Sequence, residues 1–119
     1  MGALQELGRY GEDVAVRHLH DQGLVILERN WRCRAGEIDI VARHGDVLVF
    51  CEVKTRRSDR FGSPVEAVTP RKLARMRVLA AAWLAERRPP YAADLRFDVV
   101  SVLRPPSGPA RVEHLQGVC

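Results

Sequence analysis

The chain has 119 residues, 46% of them hydrophobic, and its 19 Lys and Arg against 15 Asp and Glu leave a net charge of +4. A chain of this length makes one domain, 1–119, with a sizeable core, and so small a charge excess does not by itself name a nucleic-acid partner. The longest apolar run, Val78 to Ala85, falls far below the roughly 18 residues that a membrane span requires, which excludes that class.

The N-terminus lacks the basic, then apolar, then small-residue order of a signal peptide. Cys33, Cys51 and Cys119 are odd in number and have no Cys-x-x-Cys spacing, so they read as reduced thiols. Both features point to a cytoplasmic protein.

Leu4 to Gly23 reads as a helix, with Leu4, Leu7, Gly11, Val14, Ala15, His18 and Leu19 at the three-four spacing of an apolar stripe. Glu12 lies on the flank of that stripe, and the pattern alone slightly favours a partly exposed surface role for it. Gly8 and Gly11 cost helix propensity and suggest close approach by another backbone. His18 and His20 do not face each other at i,i+2, and His18 reads as a core-edge residue. Leu24 to Trp31, rich in Val and Ile, is the first strand. Trp31 fits packing at the sheet edge better than stacking on a base. Arg32 and Arg34 in the next connection read equally as phosphate contacts or as solvated cations.

Gly36 to Lys54 is the central stretch, two apolar runs around Gly45-Asp46 with acidic residues at alternate positions. Alternate strand residues share a face. Glu37, Asp39 and Val41 therefore point one way, and Ile38, Ile40 and Ala42 the other; Leu48, Phe50, Glu52 and Lys54 share a face in the second run. A two-residue Gly-Asp loop pairs His44 with Val47, which sets Asp39 across from Glu52 and Glu37 across from Lys54. Two carboxylates so placed, roughly 5 Å apart at Cβ, repel unless a cation lies between them. Lys54 supplies one charge; Mg²⁺ or Mn²⁺, which favour hard oxygen ligands, would supply more. An ordinary charged hairpin face is the plainer alternative, but Val41, Leu48 and Phe50 make most of that face apolar.

The loop after Lys54 is basic, with Arg56, Arg57 and Arg60, and reads as a phosphate-contacting or a solubilising segment. Phe61 within it is a candidate to stack on a base. Thr69-Pro70 starts a second helix, Thr as N-cap and Pro at the first position, with Leu73, Met76, Ala80, Trp83 and Leu84 as its buried stripe. Arg71, Lys72, Arg75 and Arg77 crowd its first turns against the helix dipole, a cost that makes sense beside an anion. Pro89-Pro90 ends it. Asp94 to Leu103 and Arg111 to Leu115 are strands, the latter at an edge. The expected fold is a mixed α/β domain with a central sheet, in the order α-β-β-β-α-β-β.

Asp39, twelve intervening residues and then Glu52-x-Lys54 resemble the signature of the restriction-endonuclease-like nucleases, the PD-(D/E)xK superfamily. A wider ordered set resembles the YraN family of small bacterial proteins, similar in fold to archaeal Holliday-junction resolvases. It comprises Gly8-Arg-Tyr-Gly-Glu12, Asn30-Trp-Arg32, Gly36 to Val41, Val49 to Arg56, Gly62-Ser-Pro64, Lys72 and Arg96 to Val99, and covers nearly the whole chain. Cys51 departs from the small aliphatics usual at its position and lies on the apolar face, away from the chemistry.

The resemblance implies a restriction-endonuclease-like fold and metal-dependent hydrolysis of DNA phosphodiesters. Asp39 and Glu52 would hold Mg²⁺ or Mn²⁺, with the Val53 carbonyl a further ligand and Glu12 completing the site directly or through water. Lys54, kept protonated by the carboxylates, would orient water or balance developing charge. Glu37 would be a ligand or a partner for Lys54. Lys72, with Arg32, Arg56, Arg57 and Arg60, would contact DNA. Likeness to resolvases suggests branched or structured DNA and a two-fold homodimer. A non-catalytic nucleic-acid-binding or adaptor protein on the same fold is the main alternative. A structural protein whose acidic cluster is merely an ion-pair network is the third.

Overall fold

In a computed structural model, residues 2–58, 68–90 and 94–118 are described; the expectations for Arg60, Phe61 and Gly62-Ser63-Pro64 fall outside them. Helix α1 (Ala3–Asp21) leads into β1 (Val25–Cys33), β2 (Gly36–His44) and β3 (Val47–Arg56), then α2 (Pro70–Arg87), β4 (Asp94–Leu103) and β5 (Arg111–Leu115). The strands form one sheet in the order β1-β2-β3-β4-β5. Every neighbouring pair is antiparallel except β3 and β4, which run parallel. A parallel pair needs a crossover, and α2 lies in the connection that makes it. Element order and mixed sheet match the restriction-endonuclease-like topology.

The two helices cover opposite faces. Ala15 and Leu19 of α1 pack on Ile40, Ala42, Val49, Cys51, Val100 and Val102. Leu79, Ala80 and Trp83 of α2 pack on Trp31, Val41, Leu48, Phe50 and Phe97 on the other side. Strict alternation along β3 sends its residues to these two cores in turn. The buried stripe of α2 includes Leu79, which the expected set omitted, while Leu73, Met76 and Leu84 are only half-buried. Trp31, on the edge strand β1, is buried in the cluster with Leu79, Ala80 and Trp83 of α2, in line with the expected packing at the sheet edge.

Local chemistry explains the boundaries. Gly45 has φ 63°, the positive value a two-residue loop needs at its first position, and His44 pairs with Val47. The Thr69 hydroxyl oxygen accepts the Lys72 N–H at 3.2 Å, capping α2 ahead of Pro70. Arg88 closes that helix in the left-handed region before the prolines.

The two helical glycines differ. A Cβ at Gly11 would overlap the Thr55 side chain, lying 2.7 Å from its Cβ, whereas one at Gly8 would meet nothing within 4 Å. Close approach thus holds at Gly11, where a side chain makes it, and not at Gly8. Urea unfolding is expected to show Gly11→Ala destabilised by roughly 1–3 kcal/mol through overpacking and Gly8→Ala stabilised by roughly 0.5–1 kcal/mol through propensity. Equal effects at both positions would refute this packing.

Candidate functional site

Asp39 sits where β2 parts from β3. The β2–β3 ladder runs from His44–Val47 to Ile40–Cys51 and ends there. The next hydrogen-bonded pair would be Ile38 with Val53, but the Val53 N–H donates to Asp39 Oδ2 at 2.8 Å instead. The expected Asp39–Glu52 and Glu37–Lys54 cross-strand pairs are therefore not made. On the other side, β1 pairs Arg29 with Ile40 and Trp31 with Ile38, and skips Asn30 and Asp39 between them.

Asn30 has φ 54°, and the pleat changes phase here. Neighbouring side chains Arg29 and Asn30 both bond to Glu12. Ile38 packs with Trp31 and Val41 beneath α2, while Ile40 and Ala42 pack beneath α1. The expectation that Ile38 shares the face of Ile40 and Ala42 is corrected by this break. A carboxylate at the break is aimed at the seam between β2 and β3.

Glu52 and Lys54 follow Leu48 and Phe50 on the α2 side of β3, and Lys54 Nζ lies 3.3 Å from Glu52 Oε1. These strand residues border a cleft of 210 Å³ that also takes in Glu37 and Asp39, with Lys72 and Arg75 contributed by α2. Phe50 and Leu79 supply apolar wall. Cys51 belongs to the core beneath α1, as expected, but also borders this cleft.

Burial raises the Asp39 carboxyl from 3.8 to about 6, with the carboxylates of Glu52, Glu37 and Glu12 adding to the rise and the Val53 N–H opposing it. For Lys54, burial works against the charge, but Glu52 and Asp39 outweigh it and raise the ammonium above its ordinary value. Lys72 moves down, through burial and the neighbouring Lys54 and Arg75 cations. Of two adjacent amines, the one nearer the carboxylates keeps its proton more firmly.

Glu12 is placed differently from the expectation. Its Oε1 accepts from Arg29 Nε at 2.9 Å and Asn30 Nδ2 at 2.8 Å, and Glu12 is not among the residues bordering the cleft. Among the described residues, no three His, Cys, Asp or Glu side chains gather as a group able to hold a metal ion. Of the expected set, Asp39 and Glu52 border the cleft, while Glu12 stands outside its lining and adds its charge to the field at Asp39. Glu37 faces Arg32 at 3.3 Å rather than Lys54, and both are largely exposed. Arg56 is half-buried at the end of β3, its carbonyl accepting the Arg104 N–H, and Arg57 is exposed just beyond. No helix among the described residues is long and apolar enough to cross a membrane.

Residues 11–102 match the model described as Uncharacterised protein family UPF0102. The chain belongs to that family, the YraN family. UPF0102 proteins of Frankia alni and of a Parafrankia species are each 62% identical over 117 residues, covering 98% of this chain and 97% and 98% of theirs. One from a Nocardioides species is 56% identical over 114 residues, 96% of this chain and 91% of its own. Membership agrees with the resemblance drawn from the motifs and with the PD-(D/E)xK-like fold. The UPF0102 match spans Glu12, Asp39, Glu52, Lys54 and Lys72.

Two features of the site are not legible in the sequence. Arg75 is there one of several cations on α2; its place in the cleft depends on how α2 docks over Gly36, where a Cβ would come within 3.4 Å of the guanidinium. Asn30 stands in the Asn30-Trp-Arg32 motif, but a strand-like run gives no signal of a left-handed residue inside it. A third group, Asp98 with Arg96, His114 and Gly117, lies on β4, β5 and the segment after it. His114 in turn touches His18 of α1, Nδ1 to Nε2, at 3.1 Å, which places His18 at the core edge as expected.

Proposed function

We propose that this protein hydrolyses phosphodiester bonds of DNA with Mg²⁺ or Mn²⁺ as cofactor. The observation that carries the reading is the Asp39 carboxylate released from the β2–β3 ladder beside Glu52 and Lys54. A carboxyl group buried among other carboxylates is costly for a fold without a cation. Two carboxylates completed by water suit Mg²⁺, which keeps much of its hydration. Asp39 and Glu52 are the ligands in this reading, with the Val53 carbonyl as a further one. When bound, the metal supplies Lewis-acid activation of the phosphate and of water.

The chain's own residues do the rest. Lys54, its charge secured by Glu52, balances negative charge developing on the phosphate. Lys72 and Arg75 on α2 hold a neighbouring phosphate, and Arg32, Arg56, Arg57 and Arg60 extend the contact along the backbone, giving affinity without sequence preference. Glu12, tied to Arg29 and Asn30, acts on the site through water. Glu37 lies at the rim, paired with Arg32. Branched or structured DNA, met by a two-fold dimer, is the substrate that the resolvase resemblance favours.

A second reading, a nucleic-acid adaptor without catalysis, draws on the finding that no three His, Cys, Asp or Glu side chains among the described residues gather as a group able to hold a metal ion. One panel separates the two. Purified protein is incubated with single-stranded, duplex, forked and four-way DNA in Mg²⁺ or Mn²⁺, beside Asp39→Asn and Lys54→Ala. Cleavage by the wild type that both variants lose by at least about a hundredfold is the expected result. Salt-sensitive binding with no cleavage in any lane makes the protein an adaptor.

A further inference from the structure

We infer that Asn30 positions the Asp39 carboxylate through its left-handed backbone, which shifts the pleat of β1 and β2 beside it. The nuclease reading gives this arrangement its purpose, but the geometry stands without it.

A left-handed conformation inside a strand is unusual for any residue but glycine, and Asn and Asp are the side chains that tolerate it best. Asn30 adopts it within the nine residues of β1, away from any turn. The disturbance is one residue wide on each strand. Arg29–Ile40 and Trp31–Ile38 still pair on either side, and between those two pairs Asn30 and Asp39, facing each other, do not; a separate register shift lies further back in β1, between Ile26 and Glu28. With Asn30 extended, strict alternation would return Trp31 to the side of Arg29, and its partner Ile38 to the side of Ile40. Both instead lie beneath α2. A regular β2 would also offer the Ile38 carbonyl to the Val53 N–H, which now goes to Asp39 Oδ2.

The Asn30 side chain has a separate task. Its Nδ2 donates to Glu12 Oε1 at 2.8 Å, beside the 2.9 Å bond from Arg29. One residue thus orders two acidic groups, Asp39 by its backbone and Glu12 by its amide. Substitutions can part the two tasks, because Gly keeps the positive φ and loses the amide, while Ala loses the amide and disfavours the φ.

The test follows the Val53 amide by NMR, its proton shift and its hydrogen-exchange protection, in metal-free wild type, Asn30→Gly and Asn30→Ala. Mn²⁺ affinity is measured alongside by calorimetry. Asn30→Gly is expected to keep the Val53 signal near its wild-type position, and Asn30→Ala to move it and lower protection about tenfold, the scale set by the cost of a left-handed alanine. Asn30→Asp tolerates the conformation but sets a second carboxylate against Glu12, so it is read by the Val53 signal alone, which should stay near its wild-type position; it keeps the comparison open if Asn30→Ala does not fold. Mn²⁺ affinity should fall in the same order. A Val53 signal that Gly and Ala move equally, or that neither moves, overturns the inference. The expected Val53 pattern without Mn²⁺ binding by any protein, wild type included, upholds the positioning role and removes the nuclease reading instead.

Discussion

Asp39→Asn is expected to stabilise the metal-free protein at neutral pH while abolishing metal-dependent cleavage. The Asp39 carboxyl titrates near 6 in the fold against 3.8 ordinarily, chiefly because it is buried and also because Glu52, Glu37 and Glu12 surround it. A raised carboxyl favours the protonated folded state. Its contribution is fully present below 3.8 and is lost as the pH rises through 6. The rise from 3.8 to about 6 corresponds to at most about 3 kcal/mol, and roughly 2 kcal/mol is expected once partial solvent access screens the charge. The Asn variant still presents an oxygen to the Val53 N–H and has no charge to bury, so its stability should not fall across that window.

Thermal unfolding in EDTA from pH 4 to 8 should therefore show the wild type losing ground to Asp39→Asn, by several degrees at the upper end. Adding Mg²⁺ or Mn²⁺ should restore the wild type alone, since a cation favours the ionised carboxylate and stabilises whichever state binds it. Parallel curves for the two proteins in EDTA would show that Asp39 is not held under this strain. Such a trade between stability and function is common at active sites.

Asp98→Ala carries the opposite sign. Asp98 is fully buried and accepts both Arg96 Nε and Nη2 at 2.9 Å, the Gly117 N–H at 3.0 Å, and lies 2.7 Å from His114 Nε2. Burial alone would raise its pKa, but His114, Arg96 and the Gly117 N–H outweigh it and hold the carboxyl below its ordinary value. Its contribution is present above 3.8 and is lost as the pH falls through the lowered folded value. Removing the carboxylate leaves a guanidinium and an imidazole without their partner, at a cost of about 3–5 kcal/mol. It also frees the final segment, whose Val118 N–H bonds to the Phe97 carbonyl. Urea titration should show that loss near neutral pH, with hydrogen exchange rising at Gly117 and Val118. A loss under about 1 kcal/mol, the level of an exposed ion pair, would mean that this cluster does not hold β5 in place. Half-buried Asp39 and fully buried Asp98 thus have opposite pH signatures, one relieved by protonation and the other destroyed by it.

Much of this arrangement was legible along the chain. The Gly45-Asp46 loop and the alternation on either side were enough to align His44 with Val47, and the alignment persists to Ile40 and Cys51. Thr69-Pro70 marked the start of α2, and the alternation of β3 placed Glu52 and Lys54 on one face. These features depend on residues two to four positions apart, whose relative placement follows from backbone geometry. The place where extrapolation failed is the site itself. A left-handed Asn30 halts the pairing one step before Asp39, and no local pattern announces it.

The order of the elements, the hairpin register and the candidacy of Asp39, Glu52 and Lys54 can all be read along the chain. Packing between distant segments was needed to draw Glu12 to Arg29 and Asn30, to bring Arg75 from α2 to the cleft, and to enclose Asp98 with Arg96 and His114. The difference is one of range. Periodicity reports what a short backbone segment can do, whereas the partner of a buried charge is chosen when distant segments pack and every polar group excluded from water must find one.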